Sequence, residues 1–465
     1  FALLFVDFLL PAFNSISQKS ITMQVFSFKE IGWLFVITVI TGLISGSYTA
    51  IYLSKIKSTQ ILSKEPVRGK KGKFFRQALV IAQFTISIAL IIVSLVVRNQ
   101  LNFIQNKDLG YKINNLLVLD LGGGFGDDYN AIKSKLLQIP SVNKVTTASA
   151  LPVNVVEGTY GGQWPGKVTE ERHLTNNNFV DNDFIDALGM TLIEGRNFNE
   201  QYEVDSNSFI VNESAVRMMN LEEPIGTEIS FREVTGKIIG VLKDFHFTSM
   251  HSPIGPMVML RVRSSDFLIA KIETDDFQKT IKEIRNMIQT EFPNYSFSYR
   301  TMNDHYNELY TDEQRIGKMF DYFAVLAILL SCLGLFGLSA YSAEQRTKEI
   351  GIRKALGGTV SSIIFILEKE FIKWVLISNV IAWPIAYYFS KNWLESFTYK
   401  IDISIYLFAF SMVVTFIVAI LTVLFQAYRA ARKNQTESLR YESNNLGTDD
   451  LKRLFFYIYS LNKNL

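Results

Sequence analysis

The chain has 465 residues, 48% of them hydrophobic and 20% charged, with a net charge of +3 and a mean hydropathy of +0.16. That is fewer charges than the roughly one quarter usual in soluble domains, and the apolar residues gather in long uncharged runs, which excludes an ordinary soluble fold. The near-balanced charge leaves no basic footprint for nucleic acid, and lone Cys332 excludes a disulfide framework.

In chain order, 1–10 reads as the tail of a span, and a start at Phe1 without a signal pattern reads as a fragment or processed product. The runs 31–54, 77–97, 322–343 and 403–428 contain no Asp, Glu, Lys or Arg. Each reaches the roughly 20 residues that carry a helix across a bilayer. The shorter run 374–390 follows the amphipathic stretch 361–373, so one helix is expected to run from the interface into the membrane. Basic residues crowd the segments after 54, 343 and 428, while 11–30 and 391–402 hold two Lys each. The positive-inside rule then places the first three segments in the cytoplasm and the last two outside. The fold class expected is a multi-pass α-helical membrane protein of five full spans and one partial, with its C-terminus cytoplasmic. An α+β extracytoplasmic domain is inserted between 97 and 322.

Within that insert, NNLLVLDL, TGKIIGVLKDFHF and YSFSYR read as strands. DDYNAIKSKLLQI and DFQKTIKEIRNMIQTEF read as helices, and SFIVNESAVRMMN as a strand leading into one. The polar stretch 303–319 is expected to continue as a stiff helix into the span at 322. Three motifs could carry chemistry. GGQWPGKV (161–168) approaches a phosphate loop, but Val168 stands where a magnesium-binding hydroxyl is needed and Pro165 lacks an N–H, so it reads as a surface loop. LGGGFGDD (121–128) lacks the dinucleotide spacing and reads as a strand-to-helix turn capped by Asp127 or Asp128. KDFHFTSMH (243–251) offers His246, His251 and Asp244 but no complete metal set. No nucleophile–base pair and no G-x-S-x-G stands out. Catalytic, cofactor and metal residues are therefore all expected to be absent.

The segment EQRTKEIGIRKALGG (344–358) lies between two apolar runs on the cytoplasmic side. Glu349 and Arg353 form a favourable i, i+4 pair, and Gly357 or Gly358 can stop the helix in the left-handed conformation. Exposed apolar Ile350 and Leu356 on a short helix with a hard stop suit a docking surface better than a connector. With the EKEF that follows, this stretch resembles the signature of FtsX/MacB-like ABC transporter permeases. GMTLIEGRNF, IVNESAVRMMNLEEPIGTEI and IIGVLKDFHFTSMHSPIGP resemble their MacB-type periplasmic core domain.

The resemblance implies a division of the chain: 1–65 as the end of a first permease repeat, 66–76 as a basic cytoplasmic linker and 77–97 as a span. It implies a periplasmic core domain with stalk helices at 98–320, the FtsX-like permease domain at 321–442 and a cytoplasmic tail at 443–465. SKIKSTQILSK after the run ending at 54 parallels ARKNQTESLR after the last one, as expected of two repeats, although Ser58 and Gln435 stand where the family usually has Pro. It implies a non-catalytic inner-membrane subunit that binds no cofactor, ATP being bound and hydrolysed by a separate cytoplasmic ATPase. Arg346, Lys348, Glu349, Ile350, Gly351, Arg353, Lys354, Leu356 and Gly357 would dock that ATPase as a coupling helix. Other partners implied are the lipid bilayer, a second repeat or copy, and, for export, a periplasmic adaptor and outer-membrane channel. The expected function is mechanotransmission for extruding a peptide, lipoprotein or drug-like substrate. The alternative is an FtsX-like scaffold that controls a cell-wall hydrolase or relays a signal without transport.

Overall fold

The uncharged runs from 77 onward fold within long helices. The computed structural model describes residues 6–8, 10–11, 13–14, 20–21, 32–43, 46, 70–121, 126–155, 158–167, 173–199, 205, 207–262, 266–345, 352 and 359–432. Four helices are α1 (Lys70–Asn106), α7 (Thr311–Gln345), α8 (Val360–Leu394) and α9 (Ile405–Arg432). Their apolar stretches Phe74–Asn106, Thr311–Gln345, Glu368–Leu394 and Ile405–Gln426 are long enough to cross a membrane. Of the earlier run 31–54, the apolar helix Gly32–Leu43 is described and most of the rest lies outside the described residues. As expected, the amphipathic stretch and the run after it form one helix, α8, with Pro384 inside it.

The described residues among 1–98, 315–391 and 402–465 make one compact unit. Its helices meet through small and polar side chains, which let backbones approach closely where burial in lipid supplies no drive for association. Ser87 and Ser331 hydroxyls lie 3.0 Å apart, and Ser378 donates to the Ile81 carbonyl at 3.0 Å. A Cβ on Gly334 would stand 2.8 Å from Gln83 Oε1, so glycine admits α1 against α7 there. Ser94 donates to Asp321, and Phe336 stacks near Phe425 at 6.3 Å.

Residues 99–314 with 392–401 make the second unit. Here period-two alternation builds a sheet of 11 strands among the described residues, in the order β11-β1-β10-β2-β4-β9-β6-β8-β5. The strands on that path are β1 (Leu116–Asp120), β2 (Val142–Ala148), β4 (Thr175–Val180), β5 (Leu192–Gly195), β6 (Phe209–Asn212), β8 (Val234–Leu242), β9 (Met257–Arg261), β10 (Phe267–Ile272) and β11 (Ser298–Thr301). Short β3 (Gly158–Thr159) pairs with β4, and β7 (Glu228–Phe231) pairs with β8. Only β4–β9 and β6–β8 run parallel among these pairs.

Both faces are covered, so successive strand residues enter different cores. Leu116 and Val118 face one apolar cluster, while Leu117 and Leu119 face another with α2 (Tyr129–Leu136) and α5 (Phe277–Glu291). Ile281, Ile284 and Ile288 put one stripe of α5 into that second cluster, and the Asp276 side chain caps its start. In FIVNESAVRMM, the last strand residue Asn212 is also the N-cap of α4 (Glu213–Met219), accepting from the Ala215 N–H at 2.9 Å. Short α3 (Phe184–Leu188) ends on left-handed Gly189.

Two expectations are corrected. Asp128 holds the N-cap position of α2 without a side-chain cap bond; its carboxylate accepts from Tyr295 Oη at 2.9 Å instead. The stretch 303–319 is two helices, α6 (Met302–Glu308) and α7, broken at Leu309 and Tyr310. The break is tertiary in origin. Tyr310 is driven into the core, where its hydroxyl accepts the Met250 N–H at 2.8 Å, and tight turn bonds from Leu309 to Tyr306 and Tyr310 to Asn307 close the chain around it.

Candidate functional site

The segment KDFHFTSMH after β8 contains the three residues that sequence singles out as weak metal candidates, and the structure sends each to a different partner. Asp244 closes the N-terminus of α4. It accepts from Asn212 Nδ2 and the Ser214 N–H at 2.9 Å and pairs with Arg217 at 2.5 Å. An anion is favoured at that helix end, so the carboxylate is spent structurally. His246 is buried, its ring edge-on to Tyr399 with centroids 4.6 Å apart. Burial first, and the Lys107 charge second, pull its pKa below the ordinary histidine value, which favours the neutral ring. His251 turns to a third set of partners. Among the described residues no cluster of three metal-ligating side chains exists.

What the segment builds is a joint. Its floor is apolar, with Phe245, Phe247 and Met250 fully buried. Gly110, at a φ of +84°, brings the end of the α1 connection so close that a Cβ would lie 2.9 Å from that of Phe245. This approach lets the His246 N–H reach the Leu109 carbonyl at 2.8 Å. From the other side comes the 392–401 connection between α8 and α9. The Met250 carbonyl accepts from the Thr398 and Tyr399 N–H groups at 3.1 and 3.2 Å. Gln100 of α1, with no exposed surface, completes the grip on that connection: its amide donates to the Tyr399 carbonyl and accepts from the Ile401 N–H, both at 2.9 Å.

His251 ties in the last connection. Its ring stacks on Phe397 at 4.0 Å, Nδ1 lies 2.8 Å from the Ser396 carbonyl, and Nε2 lies 3.0 Å from Glu313 of α7. Tyr310, just before α7, holds the Met250 N–H, and Tyr306 donates to the Ile104 carbonyl of α1 at 3.0 Å. The three stretches of chain that join this unit to the apolar helices, at 100–110, 310–313 and 392–401, are thus fastened to one another, either directly or through 243–251. Sequence reasoning misses this cluster. Its members lie hundreds of positions apart and several of their partners are backbone groups, so no local spacing could report it.

Two family models match the chain: a MacB-like periplasmic core domain over residues 78–287 and the FtsX-like permease C-terminal over 322–435. Between them they cover most of the chain, in the expected order. The chain belongs to the FtsX/MacB-like ABC transporter permeases. It is accordingly a multi-pass membrane protein with an inserted periplasmic domain. Among relatives, the permease is 23% identical over 297 residues to the uncharacterized ABC transporter permease YknZ of Bacillus subtilis, covering 59% of this chain and 72% of that one. It is 22% identical over 209 residues to the macrolide export ATP-binding/permease protein MacB of Psychrobacter arcticus, covering 42% of this chain but only 31% of that protein. The periplasmic region of MacB from Actinobacillus actinomycetemcomitans aligns at a TM-score of 0.32 and 16% identity, covering 44% of this chain and 97% of that one.

The coupling residues Arg346, Lys348, Glu349, Ile350, Gly351, Arg353, Lys354, Leu356 and Gly357 lie outside the described residues. Between them Ile352 is helical and exposed. The near-phosphate loop is described up to Lys167, which turns back on its own loop: the ammonium donates to the Gly162 carbonyl and sits 4.5 Å over the Trp164 ring. Trp164 in turn stacks on Phe231. The lysine and tryptophan thus hold the loop against the β7–β8 hairpin.

Proposed function

We propose that this permease transmits the ATP-driven motion of a separate cytoplasmic ATPase to its periplasmic domain, which then extrudes a peptide, lipoprotein or drug-like substrate. The joint is the observation that supports the reading. Displacement entering through α1, α7 or the α8–α9 connection meets one fastened cluster, so the domain responds to all three together. Helices suit this role. At about 1.5 Å per residue, the 37 residues of α1 and the 35 of α7 are struts of roughly 50 Å or more. In this reading ATP binds to the partner subunit, which docks at 344–358, the segment after 428 faces the cytoplasm and the chain itself needs no cofactor. The relative named for macrolide export favours extrusion over a purely regulatory role.

The reading is tested in lipid nanodiscs, with and without the cognate ATPase. The expected result is nucleotide binding and hydrolysis only when the ATPase is present, at a rate the permease changes several-fold. Saturable ATP binding by the permease alone, lost in Lys167→Ala, contradicts it, and so does an ATPase rate indifferent to the permease.

A further inference from the structure

Resting on the transmission reading, we propose that His251 and Glu313 form a proton-dependent latch that closes the joint when protonated and releases it when the proton is lost. Stacking on Phe397, at 25° between ring planes, fixes the plane of the imidazole. In that plane Nδ1 faces the Ser396 carbonyl and Nε2 faces a Glu313 carboxyl oxygen. A peptide carbonyl only accepts, so Nδ1 carries a hydrogen. At Nε2 the hydrogen sits either on the imidazole, giving an ion pair, or on Glu313, giving a neutral pair. Both arrangements hold one proton more than a neutral imidazole beside an ionised carboxylate. Without that proton, two acceptors confront each other at 3.0 Å. Moving the remaining hydrogen to Nε2 only transfers the conflict to the Ser396 carbonyl.

The surroundings leave this pair in control of the contact. The side chains of His251 and Glu313 retain 32% and 17% of their exposure, so solvent protons reach them. From α7 and its approach come Glu313 and the Tyr310 hydroxyl, which is occupied by Met250. From the 392–401 connection come the Ser396 carbonyl and the Phe397 ring; its charged members Glu395 and Lys400 are both exposed, and Tyr399 faces His246. From just past α1 comes Lys107, its ammonium 5.4 Å over the Phe103 ring and 5.7 Å over the Tyr399 ring. On the segment itself, Asp244 is held by Arg217, and His246 contacts Tyr399 rather than His251. The periplasmic location exposes the latch to the pH of the surroundings.

The test uses the full chain in nanodiscs with Cys332→Ser, spin-labelled at Glu395→Cys in the 392–401 connection and at exposed Lys282→Cys in the domain. Distance distributions are compared at about pH 5.5 and about pH 8.5, conditions about a thousandfold apart in proton activity. The expected result is one narrow distribution at the acid pH and a second component at the alkaline pH. That component should hold roughly a tenth of the molecules or more, the scale of a detectable minor state. Glu313→Gln is the decisive variant, because its carboxamide donates to a neutral imidazole without titrating. It should stay narrow at both pH values, while Glu313→Ala should show the second component at both. A wild-type distribution identical at the two pH values overturns the latch, as does Glu313→Gln broadening like the wild type. No ATPase is present in this measurement, so its failure leaves the transmission reading standing.

Discussion

Ile350→Asp and Leu356→Asp should each abolish co-purification of the permease with its cognate ATPase. If 344–358 is a coupling helix, these apolar side chains enter a groove on the partner, and a carboxylate there is buried without a cation. Such burial costs several kcal/mol. At about 1.4 kcal/mol per tenfold in affinity, that is roughly three orders of magnitude in Kd, enough to empty a pull-down. Neither substitution touches an apolar helix that could cross the membrane, so insertion and folding should be unaffected, as circular dichroism and gel filtration in detergent can establish. Wild-type recovery of the ATPase by both variants would reduce the segment to a connector.

Gln100→Leu should have the second-largest effect, at the opposite end of the transmission path. Leucine keeps the volume but removes both hydrogen bonds to the 392–401 connection, stranding the Tyr399 carbonyl and the Ile401 N–H. Both groups are partly buried, so each left unpaired costs at most the roughly 1–3 kcal/mol of a fully buried one. The connection should therefore open more often, and hydrogen exchange at Ile401 should accelerate on the order of tenfold to a hundredfold. The ATPase should still bind and turn over, because the change lies far along the chain from 344–358, while ATP-driven movement of the domain falls away. If Ile401 stays as protected as in the wild type, Gln100 does not hold the joint.

Much of the fold is legible in the sequence because its signals are local. Uncharged runs announce α1, α7 and α9, and the amphipathic lead-in to 374–390 announces that α8 is one helix. The alternation in NNLLVLDL and the stripe Ile281, Ile284 and Ile288 announce β1 and α5. What remains hidden depends on contacts distant in sequence. Nothing in the polar run TNNNFV marks β4 as the parallel neighbour of β9, a pairing made between Asn176 and Met257 far downstream. The stretch 303–319 contains no proline, and its helical periodicity continues past Tyr310; the break goes with the burial of Tyr310, its bond to the distant Met250 N–H and the tight turn bonds beside it. The joint was half visible. KDFHFTSMH offers His246, His251 and Asp244 without a complete metal set, but residue types alone do not show that the histidines serve a tyrosine ring, a carbonyl and a glutamate. Phe397, buried in a short connection between two apolar helices, was the overlooked signal.

In the transmission reading, ATP turnover on the cytoplasmic side moves the periplasmic domain through this chain. It is tested most directly by spin labels at Glu222→Cys in the domain and Ser404→Cys at the start of α9, both exposed, in nanodiscs containing the permease and its ATPase. Distances are compared between the nucleotide-free and the vanadate-trapped states. The distribution should shift on trapping in the wild type and remain fixed in Ile350→Asp. An unchanged distribution in a wild-type complex that hydrolyses ATP at its normal rate would contradict the account.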